Sequence, residues 1–426
     1  MLGTLGEMQK VRDYRLIKDV SGNIYKDNSM PNFNFSVICD EIAELWNSYI
    51  SYTPQDQDAH RLIGLPNRYV SPTPVGNGIF DQNQYYWDSY FILLGLVRQN
   101  RVQLAKGMVD NFLHMFRRFG IIPSTNRFYY TGISQPPLLT AMIEEIAKFE
   151  TDSAWKETAY MGAEKEYRSY WMQGRNERNP VFHFIDELGG NRYCDVHLNH
   201  MTAEDESGWD YTWRFEERCM DILPVDLNAF LYRYEKDIAT FYRDKGAKSD
   251  SRIWETMAER RKQMIQQNMW DETDGFYYDY DFVNRRRLPI KTLAGFTPLW
   301  VGLSSTEQAD RIVRNIIPEF EHRWGLVNTE AVQKQPFKQW DYPNGWPNMH
   351  WIVLDGMWRY GYTKEVHRIA EKWLTLNSII REKTGKFWEK YDVVAGEIGK
   401  SAVYPTQYGF GWTLGVFVAM VQEFFY

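Results

Sequence analysis

The chain has 426 residues, of which 44% are hydrophobic, 25% charged and 16% aromatic, as expected for a globular protein. Its net charge of −7 and the lack of a basic stripe argue against a nucleic-acid partner. The longest apolar stretches, residues 90–97 and 414–421, are far shorter than the ~18 residues of a membrane span. Residues 1–19 lack the apolar core of a signal peptide, so we expect a cytoplasmic protein that has no membrane partner.

The three cysteines, Cys39, Cys194 and Cys219, are scattered and imply no disulfide framework. Cys194, His197 and His200 are spaced three residues apart and could be zinc ligands. Because no fourth ligand follows at a suitable spacing, we favour polar loop residues over a zinc site. The sequence predicts no metal and no cofactor.

Apolar residues recur with a period near 3.6 in segments that are separated by turn residues. Ser304 with Glu307 has the spacing of a capping box at the start of one such segment. Two short aromatic runs, 275–280 and 387–391, indicate small β-ribbons in loops. The predicted helices, in chain order, cover residues 102–119, 136–149, 155–172, 227–244, 251–269, 304–317, 348–358, 363–376 and 412–425.

This series of helices indicates one large all-α domain, because neither a linker nor an alternation of strands and helices interrupts it. A toroid of helical hairpins fits the pattern. Periodicity alone leaves a helical solenoid as an alternative.

Four segments are too polar and too aromatic for an ordinary core: 84–90, 205–213, 338–346, and 387–392 together with 408–412. Three of them contain Trp followed by Asp. Indole and phenol rings cover the apolar face of a sugar, while carboxylates bind its hydroxyl groups and can cleave a glycosidic bond. A single Trp-Asp pair is more often a core Trp beside a helix cap. Several such segments between helices indicate a sugar pocket.

The chain resembles the α,α-trehalase family of glycoside hydrolases over residues 72–424. The similar motifs are Tyr-Tyr-Trp-Asp-Ser-Tyr at 85–90, Glu-Ser-Gly-Trp-Asp at 206–210, Gln-Trp-Asp-Tyr-Pro-Asn-Gly-Trp at 339–346, Glu-Lys-Tyr-Asp-Val at 389–393 and Gly-Phe-Gly-Trp-Thr at 409–413. The resemblance implies an (α/α)6 barrel with short β-ribbons in the active-site loops. We expect residues 1–426 to form a single catalytic domain, with residues 1–70 as a candidate N-terminal extension packed on the barrel.

The resemblance also implies the roles of individual residues. Asp210 would be the general acid and Glu389 the base that activates water. The residues expected to bind the sugar are Trp87, Asp88, Asn111, Arg127, Gln135, Glu206, Trp209, Gln339, Trp340, Asp341, Trp346 and Trp412.

The chain departs from the family at two positions of the first motif. The family has an Arg seven residues before Trp87 and a Glu four residues before it, and here these positions are Phe80 and Asn83. After Trp346, the sequence Pro-Asn-Met-His is closer to the related processing α-glucosidases and mannosylglycerate hydrolases. A changed set of hydrogen-bonding partners is expected to change the preferred sugar or leaving group.

The sequence therefore predicts an inverting, exo-acting hydrolase of an α-glucosidic disaccharide or small glycoside, with trehalose as the leading candidate. Another α-glucoside or an α-glycosylglycerate is the alternative substrate. A sugar epimerase or isomerase, or a non-catalytic sugar-binding protein, is the alternative of another class. A small carbohydrate is the expected partner, and no oligomeric state is predicted.

Overall fold

The computed structural model describes residues 31, 33–175, 180–332, 334 and 336–426, together with the backbone of Ile17–Lys18 and Ile24–Tyr25, which pair as strands. The α-helices are α1 (Phe35–Leu45), α2 (Tyr86–Arg98), α3 (Val102–Phe119), α4 (Leu139–Ala147), α5 (Ser153–Glu166), α6 (His200–Glu206), α7 (Val225–Asp244), α8 (Lys248–Asn268), α9 (Thr297–Trp300), α10 (Thr306–Arg311), α11 (Ile317–Phe320), α12 (Pro347–Arg359), α13 (Thr363–Thr384) and α14 (Gly411–Phe425). π-Helical turns at Tyr167–Trp171 and Ile312–Ile316 extend α5 and join α10 to α11.

The inner helices α2, α4, α7, α9, α12 and α14 form a closed ring, in which each packs against the next and α14 packs against α2. The outer helices α1, α3, α5, α8 and α13 pack against the outside of this ring. The predicted all-α architecture, an (α/α)6 barrel, is therefore confirmed. The closed ring excludes the solenoid alternative, in which the first and last helices would not meet.

Burial explains which helices lie inside. Helix α2 buries every residue from Tyr86 to Val97, and α14 buries nearly all of its length. Helix α8 instead buries a single face, which includes Trp254, Ala258 and Ile265. A helix that is apolar all round belongs inside a core, whereas one with a single apolar face belongs at its edge.

Two glycines allow the ring to close. A Cβ atom placed on Gly95 of α2 would lie 2.7 Å from the Cα of Gly415 on α14. A Cβ atom on Gly415 would lie 2.1 Å from the carbonyl oxygen of Phe91. The backbones of α2 and α14 can therefore touch only because neither position carries a side chain.

The strands are two residues long and antiparallel, and they form ribbons in the loops, as predicted. One sheet joins the loops that carry two of the aromatic segments, because Asn344 pairs with Asp392 and Gly345 with Tyr391. The remaining pairings are Tyr391–Asp392 with Glu397–Ile398, Ile50–Ser51 with Tyr69–Val70, Phe184–Ile185 with Gly190–Asn191, Trp270–Asp271 with Phe276–Tyr277, Glu321–His322 with Gly325–Leu326, and Tyr280–Asp281 with both Ile222–Leu223 and Arg286–Arg287.

Several predicted boundaries differ from the structure. The capping box is formed by Ser305 and Gln308, one residue later than predicted, and it starts α10. Helix α4 begins at Leu139, after the two prolines at which the sequence predicts its start. Helix α13 continues to Thr384, and Gly385, whose φ is 70°, ends it. Helices α1, α2, α6 and α9 were not predicted as separate elements.

Of the candidate N-terminal extension, residues 1–70, the part up to residue 30 lies outside the described residues, apart from the two short strands given above. Within its described part, α1 packs against α14, where the ring of Phe35 meets Phe417 edge-on at 6.0 Å. Trp46 is fully buried and donates from Nε1 to Oε1 of Gln99 at 2.6 Å. The division of the chain into extension and catalytic domain stays a prediction. No helix in the described part of the chain is long and apolar enough to cross a bilayer.

Candidate active site

A cavity of about 270 Å³ opens at the end of the barrel where the inner helices begin. Trp87 and Asp88 occupy the first turn of α2, Trp346 precedes α12, and Trp412 is the second residue of α14. Alternate helices of the barrel run in the same direction, so the loops before the inner helices meet at one end. The predicted site residues that line the cavity are Trp87, Asp88, Gln135, Asp210, Trp340, Trp346, Glu389 and Trp412.

Asp210 lies in the loop between α6 and α7, and its carboxyl group faces the cavity. Nε2 of Gln339 donates to its Oδ2 at 2.8 Å, and Nε1 of Trp340 donates to its Oδ1 at 3.1 Å. Burial and the nearby carboxyl group of Asp205 raise the pKa of Asp210 to about 8. A carboxyl group in this setting keeps its proton at neutral pH and can donate it.

Glu389 lies in the loop between α13 and α14 and has different partners. Nζ of Lys390 donates to its Oε2 at 2.9 Å, and the hydroxyl group of Tyr404 donates to its Oε1 at 2.6 Å. The backbone N–H of Gln407 also points at Oε2, at 3.3 Å. An ammonium group and two further donors suit a carboxylate that retains its negative charge and acts as a base.

Tryptophan side chains form the wall between the two carboxyl groups. The rings of Trp340 and Trp346 stack in parallel with centroids 3.9 Å apart, and Trp412 meets Trp346 edge-on at 5.6 Å. Nε1 of Trp412 donates to the backbone carbonyl of Glu389 at 3.2 Å, which fixes the ring relative to the predicted base. Such a rigid aromatic wall can cover the apolar face of a sugar ring.

Asp88 and Gln135 complete the predicted part of the cavity surface. Asp88 is 5% exposed, and burial together with Glu389 raises the pKa of its carboxyl group well above the usual range. Oε1 of Gln135 accepts from the backbone N–H of Trp87 at 3.2 Å, so it is fixed to the start of α2. Both side chains present polar atoms to a ligand.

Six predicted sugar-binding residues do not line the cavity. Gln339 lies behind Asp210 and orients it, with Oε1 held by Ser401 at 3.0 Å. Asp341 accepts from the hydroxyl group of Thr212 at 2.7 Å. Trp209 is fully buried and packs on Trp340 at 5.1 Å. These side chains shape the loop around Asp210 from behind, and their direct contact with sugar stays a prediction.

The other three residues lie further from the cavity surface. Glu206 is fully buried and accepts from the hydroxyl group of Tyr170 at 2.5 Å and from the backbone N–H of Cys194 at 2.8 Å. Asn111 is fully buried on α3 and donates to Oε1 of Gln84 at 2.9 Å.

Arg127 is engaged by other parts of the chain. It donates to Oδ1 of Asn83 at 2.6 Å and to the backbone carbonyl of His60 at 2.6 Å. Family motifs therefore include residues that build the site as well as residues that face it.

Sequence reasoning missed seven further side chains that line the cavity: Tyr85, Ser124, Tyr130, Ile133, Asp205, Tyr404 and Phe410. Three of them belong to the aromatic segments, so their position next to assigned residues was the available signal. Tyr404 lies in none of these segments, and its contact with Glu389 depends on the course of the loop between them.

Phe80 lines the cavity at the position where the family has an arginine. Its ring packs edge-on against Tyr85 at 5.7 Å, Tyr404 at 5.5 Å and Phe410 at 5.8 Å. This part of the wall is apolar and offers no guanidinium to a sugar hydroxyl. Asn83, at the second changed position, is buried and binds Arg127.

Two of the three side chains considered as zinc ligands, Cys194 and His200, have protein partners. Nη2 of Arg192 donates to Sγ of Cys194 at 3.7 Å, and the backbone N–H of Met220 donates to Nδ1 of His200 at 3.2 Å. Within the described part of the chain, no group of three or more His, Cys, Asp or Glu side chains is arranged to hold a metal ion.

An aromatic cavity with two differently held carboxyl groups, inside a ring of helical hairpins, is the arrangement of a glycoside hydrolase, and comparison with known proteins identifies this chain as one. The chain belongs to the trehalase family, whose sequence model, described as Trehalase, matches residues 20–203 and 193–424. It is 31% identical to a periplasmic trehalase of Pseudomonas aeruginosa, over 90% of this chain and 76% of that protein.

Two solved structures show how widely the fold is shared. Neutral trehalase from Saccharomyces cerevisiae matches with a TM-score of 0.74 and 28% identity, over 83% of this chain and 73% of that one. A mannosylglycerate hydrolase from Thermus thermophilus matches with a TM-score of 0.62 and 18% identity, over 90% of this chain and 99% of that one. The second likeness concerns the fold alone.

Proposed function

We propose that the protein hydrolyses an α-glucosidic disaccharide or small glycoside from its end with inversion, and that trehalose is its substrate. Asp210 protonates the leaving oxygen, and Glu389 removes a proton from the water that attacks the anomeric carbon. Trp87, Trp340, Trp346 and Trp412 cover the sugar ring. The inverting acid and base keep separate roles throughout one displacement.

The observation that carries this proposal is the contrast between the two carboxyl groups. Burial and Asp205 keep the proton on Asp210 by raising its pKa to about 8. Glu389 instead receives hydrogen bonds from Lys390 and Tyr404. Pairs of carboxyl groups whose surroundings separate their protonation states supply the acid and the base of a glycosidase.

The named relatives and the enclosed cavity support the choice of substrate. The relatives from Pseudomonas aeruginosa and Saccharomyces cerevisiae are named as trehalases. A cavity of about 270 Å³ at the end of the barrel suits the terminal sugar of a small glycoside, which is what exo action requires. Another α-glucoside or an α-glycosylglycerate stays the alternative because Phe80 replaces the family's arginine.

An epimerase or isomerase needs a proton-transfer group at carbon, for which histidine is the usual choice. Among the described residues that line the cavity there is no histidine. His350 is buried, with Nε2 accepting from the backbone N–H of Leu326 at 2.8 Å. His183 contacts Glu206 at 3.2 Å. These positions favour hydrolysis over epimerisation, and the two carboxyl groups favour catalysis over simple sugar binding.

Glucose release from trehalose and other α-linked glucobioses tests the proposal. Asp210→Asn and Glu389→Gln should each lower kcat by roughly a hundred- to ten-thousandfold while the fold, followed by circular dichroism, is retained. Glu397→Gln, at an exposed position in the same loop region as Glu389, is the matched control and should keep full activity. The proposal fails if the wild-type protein releases glucose from none of these disaccharides.

A cytoplasmic location is also a proposal. The relative from Pseudomonas aeruginosa is named as periplasmic, so the periplasm is the location to compare with it. Fractionation of cells that express the native gene tests it, because activity released with the periplasmic fraction would contradict it.

A further inference from the structure

The cavity is lined by carboxyl groups and by no basic side chain. Asp88, Asp205, Asp210 and Glu389 face it, and among the described lining residues there is no Arg, Lys or His. Asp88 is 5% exposed, and no described residue other than Asp88 itself donates a hydrogen bond to its carboxyl group. A buried carboxyl group that lacks a protein partner and faces the cavity is placed to meet a ligand.

The nearest cations are engaged elsewhere. Lys390 is fully buried, binds Glu389, and lies 4.7 Å from the ring centroid of Trp346. The guanidinium of Arg127 binds Asn83 and two backbone carbonyl groups. A ligand that carries a negative charge would therefore find no free positive partner on the described cavity wall.

Asp205 differs from the other three carboxyl groups because it is exposed. It lies in the last turn of α6, next to Glu206 and five residues before the predicted acid. No described residue donates a hydrogen bond to its carboxyl group, so its charge is not neutralised by a protein contact. Asp205 also influences the acid electrostatically, because its carboxyl group raises the pKa of Asp210.

We propose that Asp205 selects the leaving group by charge: glycosides whose leaving group is neutral or carries an ammonium group enter the cavity, and those that carry a carboxylate are rejected. This inference rests on the proposed glycoside hydrolase function and narrows its substrate class. It favours a neutral disaccharide over a glycosylglycerate, because the carboxylate of glycerate would approach Asp205 without compensation.

The size of the effect follows from electrostatics at a partly hydrated site. Two like charges several ångströms apart near a protein surface repel by about 1 kcal/mol or more, which is roughly a fivefold change in binding. Salt screens such an interaction, so the discrimination should shrink as ionic strength rises. Asp88, buried deeper, acts on the terminal sugar, whereas Asp205 at the exposed rim acts on the leaving group.

Protonation of Asp205 should abolish the rejection. Partial shielding from water and the neighbouring Asp195 raise the pKa of Asp205 to about 6, while His197 acts in the opposite sense. The other titratable groups near it are Glu204, Asp210 and Tyr130, and its charge raises the pKa of each of them. A glycerate remains ionised below pH 6 while Asp205 gains a proton, so the discrimination should weaken there.

Two pairs of matched ligands test the proposal. Glucosylglycerol and α-glucosylglycerate differ in a carboxylate, and 2-hydroxyethyl and 2-aminoethyl α-glucoside differ in an ammonium group. Titration calorimetry measures binding to the wild type, to Asp205→Asn and to the control Asp40→Asn, which lies at an exposed position on α1. Calorimetry reports binding whether or not a ligand is cleaved.

The wild type and Asp40→Asn should bind the anionic ligand at least about fivefold more weakly than its neutral partner, and the cationic ligand more tightly than its neutral partner. Asp205→Asn should remove most of both differences, as should high salt. Equal binding within each pair by the wild type, or differences that Asp205→Asn leaves unchanged, would overturn the inference. Trehalose cleavage with either result would leave the proposed function standing, whereas binding without cleavage of any glycoside would reject that function alone.

Discussion

At the residue scale, the proposed mechanism depends on a proton held by Asp210. Its pKa of about 8 lies far above the usual value because of burial and Asp205, and the indole of Trp340 acts in the opposite sense. Glu389 and Lys390 also act on it electrostatically, and its charge in turn raises the pKa values of Asp88, Tyr130 and Tyr404. The pKa of Asp210 is therefore coupled to the charges of the other ionisable groups around the cavity.

The alkaline limb of the pH profile should reflect this pKa. The proposed mechanism requires the acid form of Asp210, so kcat/KM should stay high below about pH 8 and fall with rising pH above it, by about tenfold per unit. Initial rates with trehalose, measured from about pH 5 to about pH 10, define this limb. A fall centred near pH 4 would contradict the assignment, because it would mean that the acid has an ordinary carboxyl pKa.

Tyr404 is a positioning residue for the base. Its hydroxyl group donates to Oε1 of Glu389 at 2.6 Å, and its ring packs on Phe80. Tyr404→Phe keeps the ring and removes one hydrogen bond to a charged group, so kcat should fall by about ten- to a hundredfold with KM nearly unchanged. Tyr408→Phe is the control, because that hydroxyl group contacts Asn77 at 3.4 Å and forms no hydrogen bond with Glu389. Equal kinetics for the two variants would reject this role.

At the scale of elements, the sequence predicts a helix correctly where apolar residues recur on one face of it. Helix α3 was predicted with the observed bounds because it has one apolar face and ends at Gly120, whose φ is 74°. Helix α2 was missed because it is buried on every side and shows no contrast between faces. The capping box was misplaced because Ser304 and Ser305 both have a suitable partner three residues on, and only packing selects Ser305.

The loop that carries Asp210 is tied to two other elements by one buried cation. Arg214 forms two hydrogen bonds of 2.7 Å to Asp226 in the first turn of α7. It also binds Asp279 at 2.7 and 2.8 Å. All three side chains are almost completely buried. Removal of the cation would leave two carboxylates without their main partner.

Arg214→Met should therefore lower the free energy of unfolding by about 3 kcal/mol or more. Urea denaturation followed by tryptophan fluorescence measures it. Arg314→Met is the control, because its guanidinium pairs with Asp310 on the surface, and its loss should leave the urea midpoint close to that of the wild type. A similar urea midpoint for both variants would show that the buried cluster contributes no special stability.

At the scale of the whole molecule, the closed ring explains both the position of the site and the limits of sequence reading. The ring brings together residues 87, 210, 340, 389 and 412, which are far apart in the chain. Motifs identified these positions. They could not show that Glu206 and Asn111 face the interior or that Tyr404 reaches Glu389, because those contacts depend on how the loops pack.

Ring closure should be sensitive to a single methyl group. Gly415→Ala places a Cβ atom against the backbone carbonyl of Phe91, where neither helix can yield locally, so the free energy of unfolding should fall by about 2 kcal/mol. Gly162→Ala is the control, because its Cβ atom would meet only the end of the Leu113 side chain. Thermal denaturation compares the two, and an unchanged melting temperature for Gly415→Ala would contradict the closure argument.

The central claim is inverting hydrolysis by Asp210 and Glu389, and the anomers of the first products test it most directly. Proton NMR during early turnover of trehalose should show β-glucose and α-glucose forming in equal amounts, because the attacked sugar inverts and the leaving sugar keeps its configuration. Formation of α-glucose alone would indicate retention and contradict the assigned roles. Absence of any cleavage would contradict the proposed substrate.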